Sequence, residues 1–272
     1  YLLLKEYFIN KNILVFTFQA NIYGIIFSYF LNFKIIARSN SSPSGWNRSI
    51  FKNFIFKFFL KKANSITVNS SEFQKEFKDK FSINTNLIFN PLNKKDIIKK
   101  INLTKKKLNQ FFKNTNLRII NIARLTDQKD HLTLIKALSL IGRKINFKLL
   151  IIGYGVNKKI LENKIKFYNL KKFIKIIDER HNPYPYLKQS NLFILSSRYE
   201  GLPNVILEAQ TLKKYVISTN CPTGPKEILM NGKLGTLFEV GDYKKLASII
   251  LDFDLNKKKS KKKIDLAFKK LD

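Results

Sequence analysis

Ser196-Ser-Arg-Tyr-Glu-Gly-Leu-Pro-Asn-Val-Ile-Leu-Glu208 lies between a short apolar run, Leu192–Leu195, and an apolar-periodic segment that begins at Asn204. A short apolar run bounded by turn residues has the pattern of a buried strand, whereas the spacing after Pro203 is that of a helix. Gly201-Leu202-Pro203 bends the chain between them. The stretch therefore predicts a strand-to-helix turn, the place where open α/β sheets hold their ligands. The N–H groups of the helix starting near Asn204 are expected to face a crevice and favour an anion. Glu200 falls in the turn, and Glu208 falls about one turn into the helix, roughly 6 Å along its axis. Phosphates have no need of carboxylates, but sugar hydroxyls do, as hydrogen-bond acceptors. Two carboxylates bracketing an anion-binding helix end suit a nucleotide diphosphate sugar, one carboxylate for each sugar ring.

The same strand-then-helix unit recurs on both sides. Downstream and upstream of the turn we expect strands at Leu117–Ile122, Phe147–Ile152, Phe173–Ile176, Val216–Ser218 and near Gly235–Phe238. Helices are expected at about His131–Leu140, Lys158–Tyr168, Tyr184–Gln189, Asn204–Leu212, Gly224–Met230 and from Tyr243 onward. The first part of the chain predicts strands at Ile13–Phe18, Lys34–Arg38, Ser65–Val68 and Asn86–Phe89, with helices running to about Phe33, over Arg48–Ala63 and over Ser71–Phe81. Ser39–Asn47 is a Ser-, Pro- and Gly-containing loop, and Lys94–Asn116 is a charged, weakly periodic linker with some helix. The expectation is α/β: two Rossmann-like doubly wound domains, residues 1–115 with the linker and 116–251, followed by a basic helix at 252–272. No repeat of fixed short period is visible.

Two other strand ends carry residues suited to the same ligand. In Asn121-Ile-Ala-Arg-Leu-Thr-Asp-Gln-Lys-Asp130, Arg124 and Lys129 flank a strand-to-helix turn; a guanidinium and an ammonium there suit a diphosphate whose charge must be neutralised as it leaves. In a chain this basic, solvated loop charges are the alternative. In Ile152-Gly-Tyr-Gly155, Gly153 and Gly155 allow backbone to approach a ligand or simply make the turn tight; the third glycine of the dinucleotide fingerprint is missing.

Composition sets outer limits. The 272 residues are 44% hydrophobic and 13% aromatic, ample for packed cores. One cysteine, Cys221, and two histidines leave no disulfide framework and no cysteine- or histidine-built metal centre to propose. The formal charge is +32, from 51 Lys and Arg against 19 Asp and Glu. Attraction to nucleic acid or to an anionic membrane face is one explanation; abundant Lys, Asn and Ile in every kind of segment, as compositional bias produces, is another. A nucleic-acid-binding protein would account for the charge but not for the Glu200/Glu208 pair, and no nucleic-acid-binding motif is present. Ile13–Phe33 carries no charge, so a membrane span competes there with a buried strand and helix; Gln19, Asn21, Gly24, Ser28 and Asn32 favour the latter. Ile50–Lys62 sets Phe51, Phe54, Ile55, Phe58 and Phe59 at helical spacing among Lys52, Lys57, Lys61 and Lys62, the pattern of a helix lying in a membrane interface or of one facing a core. The chain opens at Tyr1 in an apolar run and closes in a lysine-rich helix, so we expect an N-terminally truncated fragment, cut at the far end as well.

Glu200 and Glu208, separated by seven residues, form the two-glutamate motif of retaining glycosyltransferases with the GT-B fold. With Asn182-Pro-Tyr-Pro-Tyr-Leu, Ser197-Arg-Tyr-Glu-Gly-Leu-Pro-Asn and Cys221-Pro-Thr-Gly-Pro-Lys-Glu, the chain resembles family 4 of that group, the group 1 glycosyl transferases. Residues 117–250 carry the resemblance closely, and Ile13–Asn93 more loosely, through Arg38-Ser-Asn and Asn90-Pro-Leu-Asn. The resemblance implies that Arg124 and Lys129 hold the donor diphosphate. Glu200 would contact the donor sugar near the reacting carbon, and Glu208 would bind the ribose hydroxyls. Backbone N–H groups of Gly201, Leu202 and Asn204 would support phosphate or sugar, with the base near Glu179 and Arg180. It further implies no metal and no cofactor beyond the nucleotide sugar co-substrate, and retention of anomeric configuration by front-face attack. The positive charge and the Ile50–Lys62 helix favour an acceptor that is lipid-linked or a surface polysaccharide at the cytoplasmic membrane face. Other sugar-nucleotide chemistry, such as epimerisation, stays open. The family's N-terminal glycine-rich loop is missing, and Asp178-Glu-Arg-His181 replaces a glycine-containing loop. His181 reads as solvated, His131 as a helix opener without chemistry, and Cys221 as a packed loop residue.

Overall fold

In the computed structural model of the chain, the described residues are 12–18, 21–40, 50–102, 110–142, 144–178 and 182–271. The apolar run Tyr1–Ile9, most of the Ser39–Asn47 loop, and Glu179, Arg180 and His181 lie outside them. The chain divides into two compact units, Tyr1–Asn90 with Glu200–Leu202, and Pro91–Tyr199 with Pro203–Asp272.

The first unit holds a parallel sheet in the order β1-β2-β3-β4: β1 (Leu14–Thr17), β2 (Lys34–Ser39), β3 (Ser65–Val68) and β4 (Asn86–Leu87). Helices α1 (Asn21–Phe30), α2 (Ile50–Leu60) and α3 (Ser71–Phe81) connect them. Its core is Ile25 of α1, Ile35 and Ala37 of β2, Ile66 and Val68 of β3, Leu60 of α2, and the one-face stripe Phe73, Phe77 and Phe81 of α3. Ser70 caps α3 by accepting from the Phe73 N–H, and Ser82 ends it in a left-handed conformation. The uncharged stretch Ile13–Phe33 is thus a strand and a helix. No helix among the described residues is long and apolar enough to cross a membrane. Helix α2 presents two faces: Leu60 is buried and Phe56 and Phe59 pack against the core, while Phe54 and Phe58 are exposed.

The second unit holds a six-stranded parallel sheet, order β10-β9-β8-β5-β6-β7. Its strands are β5 (Leu117–Ile122), β6 (Phe147–Ile152), β7 (Ile174–Ile177), β8 (Leu192–Leu195), β9 (Tyr215–Thr219) and β10 (Thr236–Phe238). These strands are apolar on both faces, as covering by helices on both sides demands. Leu149, Ile151, Leu192, Ile194 and Ile217 point to one core, packed against α5 (His131–Ile141), α6 (Lys158–Phe167) and α10 (Tyr243–Leu255). Leu150, Ile152, Phe193, Leu195 and Val216 point to the other, under α7 (Tyr184–Gln189) and α8 (Asn204–Thr211). The remaining helices are α4 (Lys94–Asn102), the short α9 (Pro225–Ile228) and α11 (Lys257–Lys270).

Two boundaries differ from the sequence expectation. Residues 91–115, read as a linker joined to the first domain, group with the second unit. Ile97 of α4 and Phe112 are buried in the same core as Ile120, Leu187 and Ile206, so a few apolar side chains fix a segment whose lysines obscure its pattern. The terminal basic helix also belongs to that core, through Ala267, and it starts at Lys257, after a break at Asn256, rather than at 252.

Candidate functional site

The strand order of the second sheet reverses between β8 and β5, whose following helices α8 and α5 leave toward opposite cores. A crevice forms at the carboxyl ends of strands where such a reversal occurs. β5 and β8 pair at only two register positions, Ile119 with Leu192 and Ile120 with Phe193. One step further on, the buried Asn121 donates from Nδ2 to the Ile194 carbonyl at 2.8 Å. That bond orients the amide, so Asn121 Oδ1 is left to accept from His131 Nε2 at 3.0 Å. His131 opens α5, is 2% exposed, and its pKa is lowered to about 4, first by burial and then by the Lys129 charge. It is neutral, with the proton on Nε2, and serves the fold.

The loops that follow the two strands are laced together. The Arg198 N–H donates to the Gln128 carbonyl (2.8 Å), the Gln128 side chain donates to the Tyr199 carbonyl (2.9 Å), and Ser196 Oγ donates to the Lys129 carbonyl (3.0 Å). Thr219 of β9 holds the Ser197 carbonyl at 2.7 Å. Asp130, in a left-handed conformation, caps α5 through Thr133 and receives the Arg198 guanidinium at 3.6 Å. Arg124 is exposed and Lys129 half-buried in this lacing, so both cations are carried by one fixed loop.

Gly153 and Gly155, after β6, lie against the same loop. A Cβ on Gly153 would overlap the Ala123 carbonyl oxygen, and one on Gly155 the Leu125 carbonyl. The Leu125 N–H donates to the Tyr154 carbonyl and the Asn157 N–H to the Leu125 carbonyl. The two glycines are therefore required by loop-to-loop contact whether or not a ligand approaches them.

The long turn after β8 contains Glu200, 7% exposed, then Gly201 and Leu202, which group with the first unit; Asn204 starts α8 behind Pro203. Glu208 lies within α8, as expected, and accepts a hydrogen bond at Oε1 from the Tyr184 phenol at 3.4 Å. Burial raises the Glu208 pKa, opposed by the Tyr184 hydrogen bond and by Lys100, while burial and the Glu208 charge push Tyr184 up to about 12. Lys100 of α4 pairs with Asp96 at 2.7 Å and sits 5.9 Å from the Tyr184 ring centroid. Of the residues expected in the site, the structure thus carries Arg124, Lys129, Gly153, Gly155 and Glu208 on adjoining elements of the second unit, with Glu179 and Arg180 outside the described residues. Sequence reading did not single out Tyr184, Asn121 or Arg198: Tyr184 stands in a quoted motif, but its partner is 24 residues away on another helix.

Two parallel α/β sheets, the second in this strand order with a cationic loop at its reversal point, define a protein of GT-B architecture. The family model of "Glycosyl transferases group 1" matches residues 104–270, and the chain belongs to that family. It is 34% identical over 212 residues to an uncharacterized glycosyltransferase of Methanocaldococcus jannaschii, covering 75% of this chain and 52% of that one. It is 29% identical over 195 residues to the N-acetylgalactosamine-N,N'-diacetylbacillosaminyl-diphospho-undecaprenol 4-alpha-N-acetylgalactosaminyltransferase of Campylobacter jejuni, covering 71% and 51%. The chain thus spans about half the length of these relatives. In fold it is similar to Anabaena HepE, crystallised in complex with UDP, at a TM-score of 0.82 and 19% identity, over 98% of this chain and 76% of that one.

Proposed function

We propose that the chain is the nucleotide-sugar-handling part of a retaining glycosyltransferase, which moves a hexose or N-acetylhexosamine from a nucleotide diphosphate sugar to a lipid-linked or surface-polysaccharide acceptor. The observation that carries this is the laced pair of loops at the strand-order reversal, with Arg124 and Lys129 on the loop after β5 and Glu208 on the helix that follows the adjoining strand β8. Arg124 and Lys129 neutralise the diphosphate as it departs, the task a divalent cation performs elsewhere. Glu200 orders the donor sugar near the reacting carbon, and Glu208 accepts from the ribose hydroxyls. The leaving phosphate takes the acceptor's proton while the new bond forms on the same face, so the anomeric configuration is kept and no enzymic base is demanded. UDP in the complexes of HepE and the diphospho-undecaprenol named in the Campylobacter relative support this choice of donor and acceptor classes.

Peripheral attachment to an anionic membrane belongs to the same reading. On α1 and α2, Tyr29, Phe54 and Phe58 are exposed, and the Lys62 ammonium lies 4.9 Å from the Tyr29 ring centroid and 5.1 Å from that of Phe58. Aromatic rings interleaved with lysines suit a headgroup layer.

The test is a panel of UDP-, GDP- and ADP-sugars screened by thermal shift, followed by product analysis by NMR. One class of nucleotide sugar should stabilise the protein, and the product should have the donor's anomeric configuration; an inverted product would refute retention. Glu200→Gln in an active protein should lower transfer at least about 100-fold while nucleotide affinity changes little. Unchanged turnover would remove Glu200 from the chemistry.

A further inference from the structure

Tyr184 stands at the first position of α7, held from two sides. The Asn182 side chain accepts from the Tyr184 N–H at 3.3 Å and donates to the Lys100 carbonyl of α4 at 2.8 Å, tying the start of α7 to the end of α4. The Lys100 ammonium lies 5.9 Å from the ring centroid, and Lys100 is itself paired with Asp96. A ring located in this way presents its hydroxyl to Glu208 Oε1. Resting on the assignment of Glu208 to the ribose, we propose that Tyr184 is a positioning residue for the nucleotide: it fixes the Glu208 carboxylate through Oε1, so that the remaining lone pairs meet the two ribose hydroxyls.

The chemistry favours this over mere satisfaction of a half-buried charge. A carboxylate offers about four acceptor sites, and one phenol occupies one of them. A vicinal diol needs two more, in a fixed plane. An unrestrained glutamate would have to be immobilised when the nucleotide binds; one already in contact with Tyr184 has lost part of that freedom in the free protein. A bond near the long limit of hydrogen-bond geometry is also one that a ligand can tighten.

The test compares the full chain with its Tyr184→Phe, Glu208→Gln and double variants by calorimetry. The ligands are whichever of UDP, GDP and ADP the wild type binds most tightly, and its 2′,3′-dideoxy counterpart. Tyr184→Phe should weaken the ribose-bearing nucleotide roughly threefold to tenfold, the range for one hydrogen bond. It should alter the dideoxy nucleotide, and either nucleotide in the Glu208→Gln background, by less than about twofold, because the coupled partner is then gone. Equal losses for both nucleotides would make Tyr184 a packing residue and overturn the inference, as would no loss for either. Wild-type protein that binds the nucleotide but does not distinguish its dideoxy form would overturn the Glu208 assignment and the inference with it. Wild type that binds no diphosphate would sink the donor-site reading itself.

Discussion

Lys129 projects from a backbone whose carbonyl is held by Ser196, so its ammonium is delivered from a fixed point rather than a mobile loop. Lys129→Ala should weaken a nucleoside diphosphate about tenfold and the corresponding monophosphate much less, since charge-assisted bonds are worth about 1.5–3 kcal/mol and the lost charge serves the second phosphate. Equal losses by calorimetry would count against the diphosphate assignment. His131 answers a different question. Its folded pKa of about 4 lies below the unfolded value near 6.5, so between these values the unfolded chain takes up a proton that the folded one refuses. The stability it contributes is full above about pH 6.5 and is lost as the pH falls toward 4, by about 3 kcal/mol at most. Denaturation midpoints at about pH 7.5 and pH 5 should therefore differ more in wild type than in His131→Gln; equal differences would clear His131 of the effect. The placement of Arg124 and Lys129 after a strand and of Glu208 within a helix was legible because their spacing around strand ends is local. The Asn121–His131 pair was not, because the bond that gives Asn121 its meaning reaches 73 residues along the chain to Ile194.

Among the elements, the strands of the second sheet were readable because burial on both faces leaves an unbroken apolar run. Leu117–Ile122, Phe147–Ile152 and Leu192–Leu195 fall where those runs predict. The burial of helix α4, read only as some helix within a linker, was not, since Ile97 and Ile101 are its contribution to the core amid lysines, and only α7 and α8 packing on it turn a charged segment into a buried one. The glycine turn after β6 shows the limit of motif reading: its geometry is dictated by the neighbouring loop. Gly153→Ala should push the Ala123 carbonyl away and lower the stability of the second unit by about 1–3 kcal/mol, with weakened nucleotide binding as the cation-bearing loop moves. A melting temperature and affinity like those of wild type would show that the loop can yield at no cost.

On the scale of the whole chain, two α/β units were expected and two are found, but their division at Asn90 is a matter of packing that no composition shift marks. The +32 charge is likewise a global quantity whose use only a surface can define. Vesicles with about 30% anionic lipid should retain the protein and neutral ones should not, with release as salt rises toward about 0.5 M. Phe54→Ser with Phe58→Ser should reduce retention without altering nucleotide affinity; if retention is unchanged, the attraction is charge alone and the aromatic face has no part in it. The second sheet has a mechanical corollary. With two rungs between β5 and β8, and Asn191 and Asn121 spanning the ends of that pairing, it amounts to two three-stranded panels joined along a narrow seam. A molecule gripping the loops of both panels would act as a staple across that seam, so the weakest line of the sheet is also the one that occupancy would reinforce most.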